Sequence, residues 1–169
     1  MKRVLLLRHA KSSWDDTALP DFDRPLADRG RDAAPRIGKY MKVEGLVPDA
    51  VLTSGAKRAL ETWDLVRPQL GDPQFRVEDN LYMAMPDLIF AWLRMLHDDV
   101  GSVLLIGHNP GFEELAVRLA GDGRKKALAR LRQKYPTGAL AVLRFDVDSW
   151  SGIDWGKAYL EQFVRPKDL

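Results

Sequence analysis

Val4-Leu5-Leu6-Leu7 runs straight into Arg8-His9, and the same grammar returns at Val103-Leu104-Leu105-Ile106, which runs into Gly107-His108-Asn109. Short unbroken apolar runs rich in branched residues read as strands buried on both faces. Such a strand needs a layer of helices above and below it, which restricts the chain to an α/β sheet with a large parallel part. The intervening segments agree. Strands are expected at Lys2–Leu7, Asp49–Thr53, Phe75–Val77, Ser102–Ile106 and Ala139–Phe145, with a last edge strand at Tyr159–Val164. Helices are expected at Asp28–Lys42, Lys57–Leu70, Asp87–Leu96 and Pro110–Ala120. Ala33, Ile37, Tyr40 and Met41 fall near helical spacing, and Gly45 and Pro48 end that helix. A polar loop from Lys11 to Ala27 holds Trp14, Pro20, Asp21, Asp23 and Pro25, mostly turn-compatible types. The expected architecture is a three-layer α/β/α single domain over residues 1–169 with a mostly parallel central sheet.

Composition excludes several functions. The chain has no cysteine, which removes disulfides, zinc–thiolate sites and cysteine nucleophiles together. This fits a reducing cytosol, and a cytoplasmic location is expected. The first apolar run is too short for a signal peptide or a membrane span, and no membrane partner is expected. A formal net charge of +2 does not point to nucleic acid. The one dense basic stretch, Arg124-Lys125-Lys126 continuing to Arg130, Arg132 and Lys134, lacks aromatic interleaving before Tyr135. It reads as a solvated face or loop, with substrate docking as the other reading.

Chemistry gathers at three strand ends. The first strand ends in Arg8-His9. The second ends in Thr53-Ser54-Gly55, with Arg58 on the first turn of the next helix. The fourth ends in Gly107-His108-Asn109-Pro110-Gly111. Singly, each residue has a structural use: an ion-pair partner, a loop histidine, a turn residue, a helix-surface charge. Parallel strands would bring them together, because ligands of open α/β sheets bind beyond the carboxyl ends of the strands. Arginine offers a fork of donors that fits phosphate oxygens, and histidine is a nucleophile or base near neutral pH. Asn109 suits an N-cap with Pro110 as first helical residue, and such a start favours an anion. Gly55 lets backbone approach closely at the second helix start. His97, at the expected end of the third helix, reads as structural, favouring the C-terminal dipole. No metal is expected: neither crevice histidine has a partner at ligand spacing, and two flanking arginines would repel a cation.

Leu6-Leu7-Arg8-His9-Ala10 resembles the Arg-His-Gly signature of the histidine phosphatase superfamily, with Ala10 where glycine is usual. Arg24-Pro25-Leu26-Ala27-Asp28-Arg29-Gly30 resembles the family segment leading into its first helix. Ser54 through Arg58-Ala59 to Thr62 resembles its S-x-x-x-R-A-x-x-T element, and Leu105-Ile106-Gly107-His108-Asn109-Pro110 its second histidine motif. Short length and the lack of a long insertion resemble the SixA branch, the protein phosphohistidine phosphatases. The resemblance implies a phosphoglycerate-mutase-like fold and a phosphatase needing no cofactor. His9 would be the nucleophile, Arg8 and Arg58 would clamp the phosphoryl oxygens, and His108 would donate to them. Arg24, Ser12 and Asn109 would reach the substrate's phosphate rim.

One departure bears on the substrate. Many members carry a glutamate after the third strand that protonates the leaving oxygen. The corresponding segment here, Asn80 to Asp87, has none, and Glu78, Asp79 and Asp87 are the nearby carboxylates. A general acid contributes typically ~10²–10⁴ in rate. A phosphohistidine or other P–N substrate needs it least, because its nitrogen can leave already protonated. The expected partner is therefore a phosphate-bearing substrate, foremost a phosphohistidine protein. The alternatives are a small-molecule phosphatase for activated phosphates and a non-catalytic phosphate-binding module.

Overall fold

The structure, a computed structural model, describes all 169 residues. Its strands are β1 (Lys2–Arg8), β2 (Ala50–Thr53), β3 (Gln74–Val77), β4 (Ser102–Gly107), β5 (Ala120–Gly123), β6 (Leu140–Phe145) and β7 (Ala158–Val164). They form one sheet in the order β3-β2-β4-β1-β6-β7-β5. The helices are α1 (Asp28–Val43), α2 (Lys57–Val66), α3 (Pro86–Arg94), α4 (Gly111–Leu119) and α5 (Lys125–Gln133). β1–β4, β2–β4, β2–β3 and β5–β7 pair in parallel, while β6 runs antiparallel to both its neighbours. This is the expected mostly parallel α/β sheet.

The apolar runs divide their side chains between two cores, as strand alternation requires. Val4, Leu6, Val103 and Leu105 face Ile89 and Leu93 of α3, Phe112 and Leu115 of α4, and Leu131 of α5. Leu5, Leu7, Leu104 and Ile106 face Ile37 and Met41 of α1 and Ala59, Trp63 and Val66 of α2. Both faces of β1 and β4 are therefore dry, which explains why their sequences show no polar alternation.

Several expectations are corrected. The second helix stops at Val66, and Arg67–Gln69, containing Pro68, tightens into a 3₁₀ turn. The third helix ends at Arg94 rather than Leu96, so His97 lies beyond it in an exposed turn, where its Nδ1 accepts the Asp99 N–H at 3.2 Å. The fourth helix starts at Gly111 with Pro110 at the cap position, and Asn109 Oδ1 instead accepts the Glu113 N–H at 3.2 Å. The basic stretch is not a loop but the solvated face of α5, whose Ala127 and Leu131 are buried at helical spacing while Lys125, Lys126 and Arg132 stay exposed. β5 was not anticipated, and it displaces β7 from the edge of the sheet. No helix is long and apolar enough to cross a membrane.

Candidate active site

β1, β2 and β4 are parallel, so their carboxyl ends lie on one edge, with Arg8 opposite Gly107 and Thr53 opposite Ile106. Backbone bonds extend the ladder into the loops: the His9 N–H donates to Gly107 O and the Ser54 N–H to Ile106 O, each at 3.0 Å. Thr62 of α2 reaches back to the same edge. Its Oγ1 accepts the Ala10 N–H at 3.0 Å and donates to Arg58 O at 2.7 Å. Glu61 accepts the Leu26 N–H at 2.7 Å and so anchors the segment carrying Arg24. Helix α2 thus ties both loops around its own Arg58.

His9, Arg58 and His108 meet in one buried pocket. Their residues are 5%, 3% and 3% exposed, and the two imidazole centroids are 5.2 Å apart. Arg58 Nε donates to His9 Nε2 at 3.4 Å, and Arg58 Nη2 lies 3.3 Å from His108 Nδ1. Arginine only donates, so both these ring nitrogens are unprotonated acceptors. The His9 proton then sits on Nδ1, donating to Ala10 O at 2.7 Å, and the His108 proton sits on Nε2, donating to Ser54 Oγ at 2.8 Å. Burial, the His108 ring and the arginines Arg58 and Arg8 push His9 down to about 3 against its Ala10 contact. Burial and Arg58 push His108 to about 3 as well. Both imidazoles are neutral at physiological pH, and the unprotonated His9 Nε2 points into the pocket, met by the Arg58 Nε–H.

Positive charge surrounds that nitrogen. Arg8 donates through Nη1 to Tyr135 O at 2.9 Å, while its buried Nε has no partner. Burial pushes its guanidinium down from its ordinary value. Arg24, buried to 6% exposure, donates to Asp21 Oδ1 at 3.1 Å and Ser12 Oγ at 3.0 Å and stacks 3.5 Å above the Trp14 ring. The carboxylate that bonds the pocket arginines is Asp21. Its Oδ2 accepts from Arg58 Nη2 at 3.0 Å and from the Tyr82 hydroxyl. Partial burial pushes Asp21 up, but the bonds from Tyr82 and Arg58 outweigh it and hold the carboxyl at about 2. Three arginines against Asp21, with Glu113 a second carboxylate acting on Arg8, leave an excess of positive charge suited to an oxyanion.

The residues named from sequence separate into two groups. His9, Arg58 and His108 converge, with Arg8 and Arg24 flanking them. Ser12 instead supports Arg24, and the Asn109 amide donates to Tyr135 O at 3.0 Å and Glu113 Oε2 at 3.3 Å, closing the start of α4. Of the carboxylates near the third strand, Asp87 pairs with Arg118 at 3.1 Å and Glu78 with Arg76 at 3.8 Å. Asp79 lies against Gly55, where a Cβ would stand 2.1 Å from its Oδ1. Gly55 thus makes room for a carboxylate as well as for backbone. Asp21, Tyr82, Ser54 and Tyr135 were missed as site residues. Ser54 had a signal in its place at a strand end, but the other three had none beyond turn or core composition. No group of three or more His, Cys, Asp or Glu is placed to hold a metal ion.

Comparison with known proteins agrees with this geometry. The family model described as histidine phosphatase superfamily (branch 1) matches residues 4–82. An uncharacterized protein of Mycobacterium tuberculosis is 36% identical over 163 residues, covering 95% of this chain and 100% of its own length. The structure of SixA from Agrobacterium tumefaciens matches with a TM-score of 0.81 at 29% identity, over 98% of each chain. The protein histidine phosphatase SixA complexed with tungstate matches with a TM-score of 0.79 at 25% identity, again over 98% of each. The chain belongs to the histidine phosphatase superfamily, and with its SixA-like fold it is a phosphatase, a hydrolase of phosphoric groups.

Proposed function

We propose that the substrate is phosphohistidine in a protein, and that the phosphoryl group passes through His9. The His9 Nε2 lone pair attacks phosphorus in line while the P–N bond to the substrate imidazole breaks. That imidazole leaves neutral, because its other nitrogen already carries a proton. Water then attacks the phosphorus on His9, releasing phosphate and restoring the imidazole. Arg8 and Arg58 clamp the equatorial oxygens, where charge accumulates in the transition state. Arg24 completes the rim. His108 donates from Nδ1 once phosphate replaces it as the partner of Arg58. The Ser54 hydroxyl, able to donate as well as accept, then turns its proton onto His108 Nε2.

One observation carries the choice of a P–N bond. The carboxylate in contact with the pocket arginines is Asp21, and at about 2 it is ionised and holds no proton for a departing alkoxide. Tyr82 beside it is pushed up, by burial and by Asp21, and keeps its own proton. A leaving nitrogen that brings its proton needs neither group. The name of one relative, a protein histidine phosphatase complexed with tungstate, supports the same reading. The test is a panel of phosphohistidine peptide, phosphoramidate, p-nitrophenyl phosphate and 3-phosphoglycerate, run without added metal. The P–N substrates should turn over fastest, acid quenching should destroy and alkaline quenching preserve a label on His9, and His9→Ala should abolish both. Equal rates on 3-phosphoglycerate, or full turnover by His9→Ala, would refute it.

A further inference from the structure

Beside the His9 pocket, the same edge of the sheet opens on a second concavity. A groove of about 680 Å³ lies between the start of α1, the end of α5, the Pro136-Thr137 turn and the C-terminal tail. Its wall carries seven Lys and Arg side chains and one acidic side chain, Asp32. The whole chain has 26 Lys and Arg against 24 Asp and Glu, so this excess belongs to one face. Arg36 pairs with Asp32 at 3.6 Å, and Arg130 and Arg165 pair with Asp168 at 3.2 and 2.7 Å. The other four, Lys11, Arg29, Lys134 and Lys167, are exposed and take part in none of the protein's ion pairs.

Groove and pocket share a wall. Lys11 follows His9 by two residues. Lys134 precedes Tyr135, whose carbonyl accepts from Arg8 and Asn109. The Gly138 N–H, just past the turn, donates to the carbonyls of Arg8 and His9 at 3.0 Å. A phosphohistidine projects only one side chain's length from its backbone. A protein delivering one to His9 must therefore lay its surrounding surface on this rim.

We propose that the groove docks the acidic face of the protein that bears the phosphohistidine, an inference resting on the substrate reading above. Unpaired surface cations attract a complementary acidic patch over a Debye length of about 8 Å and raise the rate of encounter. The groove has no aromatic side chain on which a base would stack, unlike surfaces that hold single strands. Ten of its 14 lining residues are charged or polar, unlike small-molecule pockets, which are lined mostly by apolar side chains.

The experiment uses the variant Lys11→Glu/Lys134→Glu/Lys167→Glu, whose changes lie outside the phosphate pocket. Two synthetic phosphohistidine peptides serve as probes, one flanked by glutamates and one by lysines, with phosphoramidate as the small reference substrate. In low salt the wild type should favour the glutamate-flanked peptide on the order of tenfold in kcat/KM. The variant and high salt should erase that preference, read as the ratio of the two peptides' kcat/KM, while kcat at saturating phosphoramidate, which does not depend on encounter, stays unchanged. No preference in the wild type, or the same preference in the variant, overturns the proposal. So does tighter binding of tripolyphosphate or single-stranded RNA than of the acidic peptide. If the wild type cleaves no P–N substrate, the substrate reading fails by itself. Fluorescence anisotropy with the unphosphorylated peptides then judges the groove: salt-sensitive binding of the acidic peptide, lost in the variant, upholds it, and equal binding of both peptides overturns it.

Discussion

Replacing Arg58 by lysine separates charge from geometry in the pocket. Arg58 spreads three nitrogens over four acceptors: Nη1 donates to Asp21 O at 2.6 Å, Nη2 to Asp21 Oδ2 at 3.0 Å and towards His108 Nδ1 at 3.3 Å, and Nε to His9 Nε2 at 3.4 Å. A lysine ammonium keeps the charge but concentrates its donors at one point, so it cannot face the two histidines and Asp21 together. Loss of one preorganised donor to a developing anion costs about 2.7–4 kcal/mol, or roughly 10²–10³ in kcat. Arg58→Ala should lose at least that in kcat/KM, and Arg58→Lys should recover no more than about tenfold of it, mainly in KM. Fold stability changes less, because the partner carboxylate of Asp21 is 45% exposed and stays hydrated. A loss of about 1–2 kcal/mol is expected, or roughly 2–8 °C in Tm for a chain of this size. The assay is steady-state hydrolysis of phosphoramidate beside thermal unfolding of each variant. Arg58→Lys turning over within about threefold of wild type, a difference of about 0.6 kcal/mol, would show that charge alone suffices and that the guanidinium geometry is dispensable.

Three further outcomes follow from the same geometry. His9 and His108 are held at about 3 in the fold, below the ordinary ~6.5, so the unfolded chain binds more protons between those limits. Stability is then full above about pH 6.5 and drains as pH falls, by at most about 1.4 kcal/mol per pH unit per histidine; urea midpoints at pH 7 and 4.5 should differ less in His108→Gln than in wild type. Ser54→Ala removes the 2.8 Å partner of His108 Nε2 and should lower kcat by about tenfold with little change in KM, measured on phosphoramidate. Gly30→Ala drives a Cβ to 2.2 Å from Lys11 O, a backbone atom that cannot swing aside. It should cost about 1–3 kcal/mol of stability by denaturant titration and also reduce turnover, because the displaced segment follows His9 directly.

The central strands were legible because their environment is uniform: a strand covered on both faces is apolar at every position, and β1 and β4 say so without ambiguity. β5 was not legible. Ala-Gly-Asp-Gly has no β pattern and becomes a strand only by pairing with β7. Its glycines serve the close approach, since a Cβ on Gly121 would stand 1.9 Å from Gly156 O and one on Gly123 2.7 Å from the Leu160 Cβ. α5 hid behind its basic residues, because Ala127 and Leu131 make too narrow a stripe to stand out.

The pocket divides along the same line. Arg8, His9, Arg58 and His108 were readable because each sits where a strand or the following helix start fixes its direction, and parallel topology carries those ends to one edge. Asp21 was not, since nothing local marks a turn aspartate as the partner of an arginine 37 positions away. Local sequence therefore specified the strands, the helices and the residue types at their ends. Which histidine nitrogen is unprotonated, which carboxylate meets the arginines and where the unpaired lysines gather arose only from the packed chain. Burial, charge and hydrogen-bond geometry at those points depend on residues distant in sequence, and no local pattern encodes them.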